Sequence, residues 1–343
     1  MIYFINDYQE GCIPEILNKM QEFNYAPSIG YGEDTHCERA RALIRDEIKS
    51  PNADVHFITG GTLTNKIVIN TFLRSYEGVI CADTAHIATH ETGAIEHGGN
   101  KLLTVENHNG KITASQIEML VNEHIEGLSR EHTVKPGMVY ISQSTELGTI
   151  YSYKELMEIS AVCKKHSLIF FIDGARMLTS LFAKVNDCTL ADMSALCDVM
   201  YIGGTKAGAL LGEALVINND SLKENFRYVL KQNGALMAKG FVMGMQFEGL
   251  FENGNYKKYC KSAIECADEI RDALKKKGIA LEIESCDTQT FAIFTKAQYE
   301  SLASSFNFGG ATIKGDLAYA RICTSWATTK ESVNALVNAI EKL

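Results

Sequence analysis

Two segments of this 343-residue chain carry residue types that could do covalent chemistry on a small molecule. Leu168 to Ile172 is a short, continuous apolar run that leads directly into Asp173, Gly174, Ala175 and Arg176. Val199 to Ile202 is a second such run, and it delivers Lys206 inside a Gly-Gly-Thr-Lys-Ala-Gly turn. Runs of this length suit strands buried on both faces and are short for helices. A carboxylate at the end of one buried strand and a lysine just past another is the pairing that pyridoxal phosphate chemistry needs. The lysine amine carries the cofactor as a Schiff base, and the carboxylate keeps the pyridine nitrogen protonated, so the ring can act as an electron sink. Each half alone has a plainer reading: Asp after a strand is often a helix N-cap, and Lys among glycines is usually a solvated loop residue. The glycines weigh against the second, because small neighbours let a flat ligand approach the backbone.

Two further features sit at the ends of apolar runs. Val55 to Ile58 turns through Thr59-Gly60-Gly61-Thr62-Leu63-Thr64-Asn65 into a helix expected from Lys66 to Leu73. A glycine turn there exposes backbone N–H groups at the positive end of a helix dipole, which suits a phosphate. It has neither the Gly-Lys-Ser/Thr ending of a P-loop nor the spacing of a dinucleotide fingerprint, so a mere tight turn is the plainer reading. His86 follows the run Val79 to Ala82, at a strand end where open α/β sheets place ligands, although a lone histidine is as often a surface residue.

These residues need a scaffold, and the hydrophobic pattern outlines one. Helical spacing covers Pro14 to Phe23, Cys37 to Ile48, Tyr153 to His166 and Ser221 to Leu230, and Met138 to Ser142 reads as another buried strand. Strands alternating with helices call for a mostly parallel sheet joined by right-handed crossovers. Gly240 to Phe251 is apolar with little relief, as in a central core or a subunit interface. Asn253-Gly254-Asn255 then breaks the pattern, so residues 1–252 are expected to form a large domain and residues 253–343 a small α+β domain. The small domain reads as a helix from Tyr256 to Lys277 and strands at Ala280 to Glu284, Thr290 to Thr295 and Ala318 to Ser325. A last helix follows, opened by a capping box of Thr328 and Glu331.

Composition excludes several function classes. With 46% hydrophobic and 22% charged residues the chain is ordinary globular material, and its net charge of −9 argues against nucleic acid or an anionic membrane as a main partner. No apolar run approaches the roughly 18 residues of a membrane span. The opening MIYFINDYQEG has no basic n-region or cleavage site, so no signal peptide is expected. Ten cysteines form no Cys-x-x-Cys pair, which points to reduced core residues, no metal site and a cytoplasmic location.

Taken together, the motifs resemble those of the low-specificity threonine aldolases, within the PLP-dependent β-eliminating lyases and aldolases of aspartate-aminotransferase-like fold. The carriers are Asn6-Asp7, Tyr31-Gly32-Glu33-Asp34, Gly61-Thr62, Ala85-His86, Asp173-Gly174-Ala175-Arg176, Thr205-Lys206 and Arg321, spread over essentially the whole length. The resemblance implies a fold type I α/β enzyme that cleaves L-threonine or L-allo-threonine to glycine and acetaldehyde. It implies that Lys206 forms the Schiff base, Asp173 pairs with the pyridine nitrogen, Gly61 and Thr62 hold the phosphate, and His86 stacks on the ring. Arg176 and Arg321 would reach the cofactor oxygen and the substrate carboxylate, with Asn6 and Tyr31 also near the substrate. His86, or a water it holds, would take the β-hydroxyl proton, and His132 corresponds to a second active-site histidine only with a one-residue shift. Homodimers or homotetramers with active sites between subunits are implied as well.

The chain departs from the family at several points. Asn6 stands where a serine is frequent, and Gln143-Ser144-Thr145-Glu146-Leu147 stands where Glu-Asn-Thr-His-Asn is frequent. The phosphate-contacting arginine of a neighbouring subunit is missing, leaving Lys239 or Lys231 as the nearest cation. A β-eliminating lyase acting on a β-substituted amino acid shares the same cofactor residues. A phosphate-binding module without PLP would rest on Gly61-Thr62 alone. The assignment of Lys206 is directly testable: borohydride reduction of the purified protein should label Lys206, and Lys206→Ala should abolish steady turnover. Labelling of another lysine would refute it.

Overall fold

In the computed structural model, which describes residues 1–343, the buried apolar runs assemble into one central sheet. In chain order the strands are β1 (Ile2–Tyr3), β2 (Asp54–Ile58), β3 (Glu77–Ala82), β4 (Lys101–Val105), β5 (Lys135–Ser142), β6 (Ile169–Asp173), β7 (Val199–Gly203) and β8 (Glu213–Ile217). Then come β9 (Ala280–Ile283), β10 (Gln289–Thr295), β11 (Phe306–Asn307), β12 (Ala311–Lys314) and β13 (Leu317–Cys323). The large sheet has seven strands in the order β2-β8-β7-β6-β5-β3-β4. From β7 to β4 all neighbours run parallel, whereas β8 lies antiparallel to both β7 and β2. Two reversals restore the direction, so the carboxyl ends of β2, β3, β5, β6 and β7 share one edge with the amino end of β8. That edge is where open α/β sheets gather their ligands. Strand β8 is buried throughout, so its residue pattern does not distinguish it from its parallel neighbours.

The apolar segment before residue 252 is a helix, Phe241–Phe251, and Met243 to Phe251 are buried within the protomer. It packs on the helices Thr35–Glu47 and Pro14–Glu22, so of the two readings open from sequence it is core, not an exposed interface. Gly244 sets the closeness of this contact. A Cβ there would lie 2.4 Å from the Cys37 backbone nitrogen and 2.7 Å from its Sγ.

A second hydrophobic core lies beneath the antiparallel sheet β12-β13-β10-β9 and includes Ile270, Phe294, Val333, Leu336 and Ile340. The helix Asn255–Lys276 belongs to both units: Tyr256 and Cys260 pack into the first core, Cys266 and Ile270 into the second. The chain start also joins the small unit. Strand β1 pairs parallel with β11, and Phe4 is buried in the second core. A two-residue strand is too short to carry a period, so this return was not legible in the pattern.

Several element ends differ from the sequence expectation, and for three of them the local reason is plain. The helix after the glycine turn starts at Gly61 and not at Lys66, and Thr64 Oγ1 bonds back to the Gly60 carbonyl at 3.0 Å. The helix expected from Ser221 shrinks to Phe226–Gln232, because the Asn219 side chain accepts from the Ser221 N–H and closes a 3₁₀ turn first. The last helix, Lys330–Lys342, is capped by Thr329 in place of Thr328, whose hydroxyl accepts from the Ser325 N–H at 2.8 Å. The tight helix crossing generates a stability test. Gly244→Ala should lower stability by about 1–3 kcal/mol in denaturant unfolding, the usual size of an overpacking effect. An unchanged midpoint would show that the two helices separate freely.

Candidate active site

Asp173 ends β6 and is 3% exposed. Its Oδ2 accepts from Tyr140 Oη at 2.5 Å and from Asn65 Nδ2 at 3.1 Å; its Oδ1 accepts from the Ala175 N–H at 3.0 Å and from Tyr201 Oη. Tyr140 lies on β5 and Tyr201 on β7, the two strands flanking β6. Burial, reinforced by the Asp173 charge, raises both phenols well above their ordinary range, so they remain donors. The result is an oriented carboxylate at the bottom of a cavity of about 330 Å³.

Lys206 lines the same cavity, carried by the loop between β7 and β8. That loop closes through Gly212, whose φ of +111° suits glycine, and where a Cβ would meet Met243 Cε at 1.9 Å. Burial lowers the affinity of Lys206 for its proton, and the nearby Arg176 adds to the effect, while Asp7, Asp173 and Glu213 oppose it. Glu213, at the start of β8, is held by the Gly204 N–H and Thr205 Oγ1, each at 3.2 Å. Burial pushes its carboxyl up, against the pull of Lys206. Amine and carboxyl line the same cavity, and each eases the charging of the other.

The helix Gly61–Phe72 presents its N-terminus to the cavity, with Thr59, Gly60, Gly61 and Thr62 in the wall. Its start at Gly61 puts the helix dipole and free N–H groups at the turn itself. His86 forms another part of the wall, and its Nδ1 lies 2.8 Å from Glu91 Oε1, which also accepts from Asn65 Nδ2 at 2.8 Å. The Glu91 hydrogen bond raises the His86 pKa, with help from Asp173 and against burial. Asn65 therefore links the carboxylate at the base to the imidazole at the wall.

The expected site residues divide into two groups. Lys206, Asp173, Gly61, Thr62, His86 and Arg176 meet in the cavity. Arg176 is not free there, since its Nε and Nη2 donate to Asp7 Oδ2 and Oδ1 at 2.7 and 3.1 Å. Asn6 Oδ1 accepts from the Tyr8 N–H at 2.9 Å, and the Tyr8 ring, also in the wall, has Lys206 Nζ 6.0 Å from its centroid. Arg321 is exposed on β13, and donates to Gln289 Oε1 at 3.2 Å and to the Ile5 carbonyl at 3.4 Å. His132, in the turn Arg130–His132, and Lys239 are exposed and outside the cavity of their own protomer. Tyr31 is also outside it, with Lys231 Nζ 4.4 Å from its ring centroid. Residues not singled out from sequence include Tyr8, Asn65, Tyr140, Glu146, Tyr201 and Glu213. Their signal was weak: a buried polar residue inside an apolar strand, as at Tyr140 and Tyr201, was the one usable hint.

Comparison with known proteins agrees with this geometry. Residues 7–298 match the family described as beta-eliminating lyase. A low specificity L-threonine aldolase from Pseudomonas aeruginosa is 32% identical across 98% of this chain and 96% of its own length. A threonine aldolase structure from Leishmania major is 42% identical, with a TM-score of 0.96 over 100% of this chain and 99% of that one. An aspartate aminotransferase from Thermus thermophilus, 11% identical, superposes with a TM-score of 0.72 over 100% of this chain and 91% of that one. The fold is therefore the aspartate-aminotransferase-like fold, fold type I.

The Asp7–Arg176 pair carries a pH-dependent prediction. Burial opposes the Asp7 charge, but Arg176, Lys206 and the Thr288 hydroxyl outweigh it and hold the carboxyl below its ordinary value. Its stabilisation is complete above the unfolded-chain pKa of about 3.9 and is lost as pH falls through the lower folded-state value. Asp7→Asn leaves Arg176 buried without its hydrogen-bonded countercharge and should cost about 3–5 kcal/mol at neutral pH in urea unfolding. The gap from the parent protein should narrow below about pH 4. A gap independent of pH would assign the loss to packing.

Proposed function

Because the chain belongs to the beta-eliminating lyase family, we propose that it is a pyridoxal-phosphate-dependent aldehyde-lyase, cleaving L-threonine or L-allo-threonine to glycine and acetaldehyde. The observation that carries this is the convergence of Lys206, Asp173 and the Gly60–Thr62 turn around one cavity. The residues present fit the cofactor: an amine of lowered proton affinity, an oriented carboxylate, and a helix N-terminus with open space at Gly60. Lys206 would hold its aldehyde carbon, Asp173 its ring nitrogen, and Gly61 and Thr62 its phosphate. When bound, it supplies an electron sink for the pair left on the substrate Cα.

The remaining work falls to the chain's own residues. His86 provides a flat wall above the cavity, fixed in orientation by Glu91. Glu213 fixes the turn that carries Lys206, through its bonds to the Gly204 N–H and Thr205 Oγ1. Arg321 would bind the substrate carboxylate as a planar fork; its two present contacts are single bonds, leaving donors for a ligand. Arg176 acts here as the counterion of Asp7 and fixes the chain start over the cavity.

Assembly into at least a homodimer, with homotetramers in the same reading, would complete the cation set. Lys206 and Arg176 are the Lys and Arg residues in the cavity wall, and both are committed. Support comes from the surface patch of Tyr31, Arg227, Tyr228 and Lys231, which offers cations and exposed aromatic rings to a neighbour. The buried helix Phe241–Phe251 lends the assembly no support. The proposed location is the cytoplasm, in keeping with ten unpaired cysteines; no helix is long and apolar enough to cross a membrane.

Product analysis tests the proposal. The purified, PLP-loaded protein should absorb in the visible and convert L-threonine into equal amounts of glycine and acetaldehyde. Pyruvate and ammonia from a β-substituted amino acid, without glycine, would establish the β-eliminating lyase instead. A colourless protein that binds only phosphate would overturn both.

A further inference from the structure

The cavity contains a carboxyl group with no part yet in the chemistry. Glu146 lies in the loop that follows β5 and lines the cavity with Lys206, Asp173 and His86. Its Oε1 accepts from Ser142 Oγ at 2.6 Å and from the His86 N–H at 2.9 Å; neither bond uses Oε2. The loop itself is firmly held. The Gln143 side chain spans it with bonds to the Tyr151 carbonyl and N–H at 3.1 and 3.0 Å, and the Thr145 N–H bonds the Thr149 carbonyl at 2.8 Å. Gln289 Nε2, from β10, donates to the Glu146 carbonyl at 3.3 Å. This much support for one side chain facing a ligand cavity is the arrangement a reacting group requires.

Resting on the aldolase reading above, we propose that Glu146 is the base that accepts the β-hydroxyl proton of the substrate. The β-hydroxyl O–H bond breaks and its proton passes to the carboxylate. The O–H electron pair closes the C=O bond of acetaldehyde as Cα–Cβ breaks, and the Cα–Cβ pair remains on Cα. Return of the proton from Glu146 to Cα completes glycine and restores the carboxylate.

Two other groups in the cavity suit this role less well. His86 Nδ1 is tied to Glu91, and its ring is committed to a flat wall of the cavity, where the cofactor would lie. Glu213 has each oxygen engaged, by the Gly204 N–H and Thr205 Oγ1, and faces Lys206. For Glu146, burial raises the carboxyl pKa, the Asp173 charge adds to this, and the Ser142 and His86 hydrogen bonds oppose it. That shift moves a carboxylate towards neutrality, where a general base works best. The other titratable groups around it are Cys81 on β3, Tyr140 on β5 and Tyr151, all of which sense its charge. Lys206, Arg176 and Glu213 line the same cavity.

The test uses PLP-loaded enzyme and begins by confirming that the parent forms glycine and acetaldehyde; other products would refute the aldolase reading itself. Glu146→Gln retains an oxygen for Ser142 and the His86 N–H but cannot take a proton. It should lower kcat for L-threonine by about 100-fold or more. KM, cofactor stoichiometry and the visible absorption change on adding threonine should stay as in the parent. The acid limb of the kcat/KM profile should disappear in Glu146→Gln and persist in Glu146→Asp and in His86→Asn. If Glu146→Gln does not fold, Glu146→Ala with added formate should recover activity in proportion to formate. A kcat within about threefold of the parent, loss of bound PLP with the activity, an acid limb that follows His86, or no rescue by formate would each overturn the assignment.

Discussion

A buried carboxylate without a cation bonded to it must be surrounded by donors, and at Asp173 that requirement organises the whole ligand edge. Four donors arrive from four places: Tyr140 on β5, Tyr201 on β7, Asn65 on the helix after the glycine turn, and the N–H of Ala175. Hydrogen bonds to a charged group contribute on the order of 1.5–3 kcal/mol each, so three adjacent strands and one helix are held to a common level. The same bonds aim the carboxylate into the cavity. Asn65 extends the network to Glu91 and thence to His86, so the base of the cavity and its wall are set by one chain of contacts. Asn65 Oδ1 and Glu91 Oε2 are the atoms of this network buried without a partner.

A second set of buried charges joins the two cores across the cavity. Asp7, just past the strand that pairs with the small unit, binds Arg176, which follows Asp173 in the large sheet, and also accepts from Thr288. Next to Thr288, Asp287 accepts from Thr179 at 2.9 Å and from Ser144, while its carbonyl accepts from Arg271 at 2.6 Å. Residues 287–289 lead into β10, which pairs with Arg321 on β13 through Phe291. The position of Arg321 relative to Lys206 thus depends on ion pairs and hydroxyls at the junction as well as on the helix Asn255–Lys276 that both cores share.

Much of the fold was legible because its signals are local. Buried parallel strands are short apolar runs, and those ending at Ile58, Ala82, Ser142, Ile172 and Ile202 were placed within a few residues of β2, β3, β5, β6 and β7. The chemistry at their ends was legible for the same reason, since Asp173 and Lys206 follow such runs directly. The antiparallel direction of β8 was not, because burial on both faces erases the alternation that marks an antiparallel strand. Nor was the pairing of β1 with β11, two strands of two residues each.

By itself, then, the sequence determined which side chains stand at the carboxyl edge of the sheet, since strand and turn propensities act between neighbours in the chain. Partnership was decided only by the tertiary structure. Arg176 reads as a free guanidinium next to Asp173, yet folding sets it against Asp7, 169 positions away. Gly240 to Phe251 reads equally well as core or interface until two helices cover it, one at Gly244 and the other at Gly249. Glu146 reads as a polar loop residue until Ser142 and the backbone of His86 turn its carboxyl into the cavity. Electrostatic and steric neutralisation depend on distance in space, and no local pattern encodes which distant group will supply it.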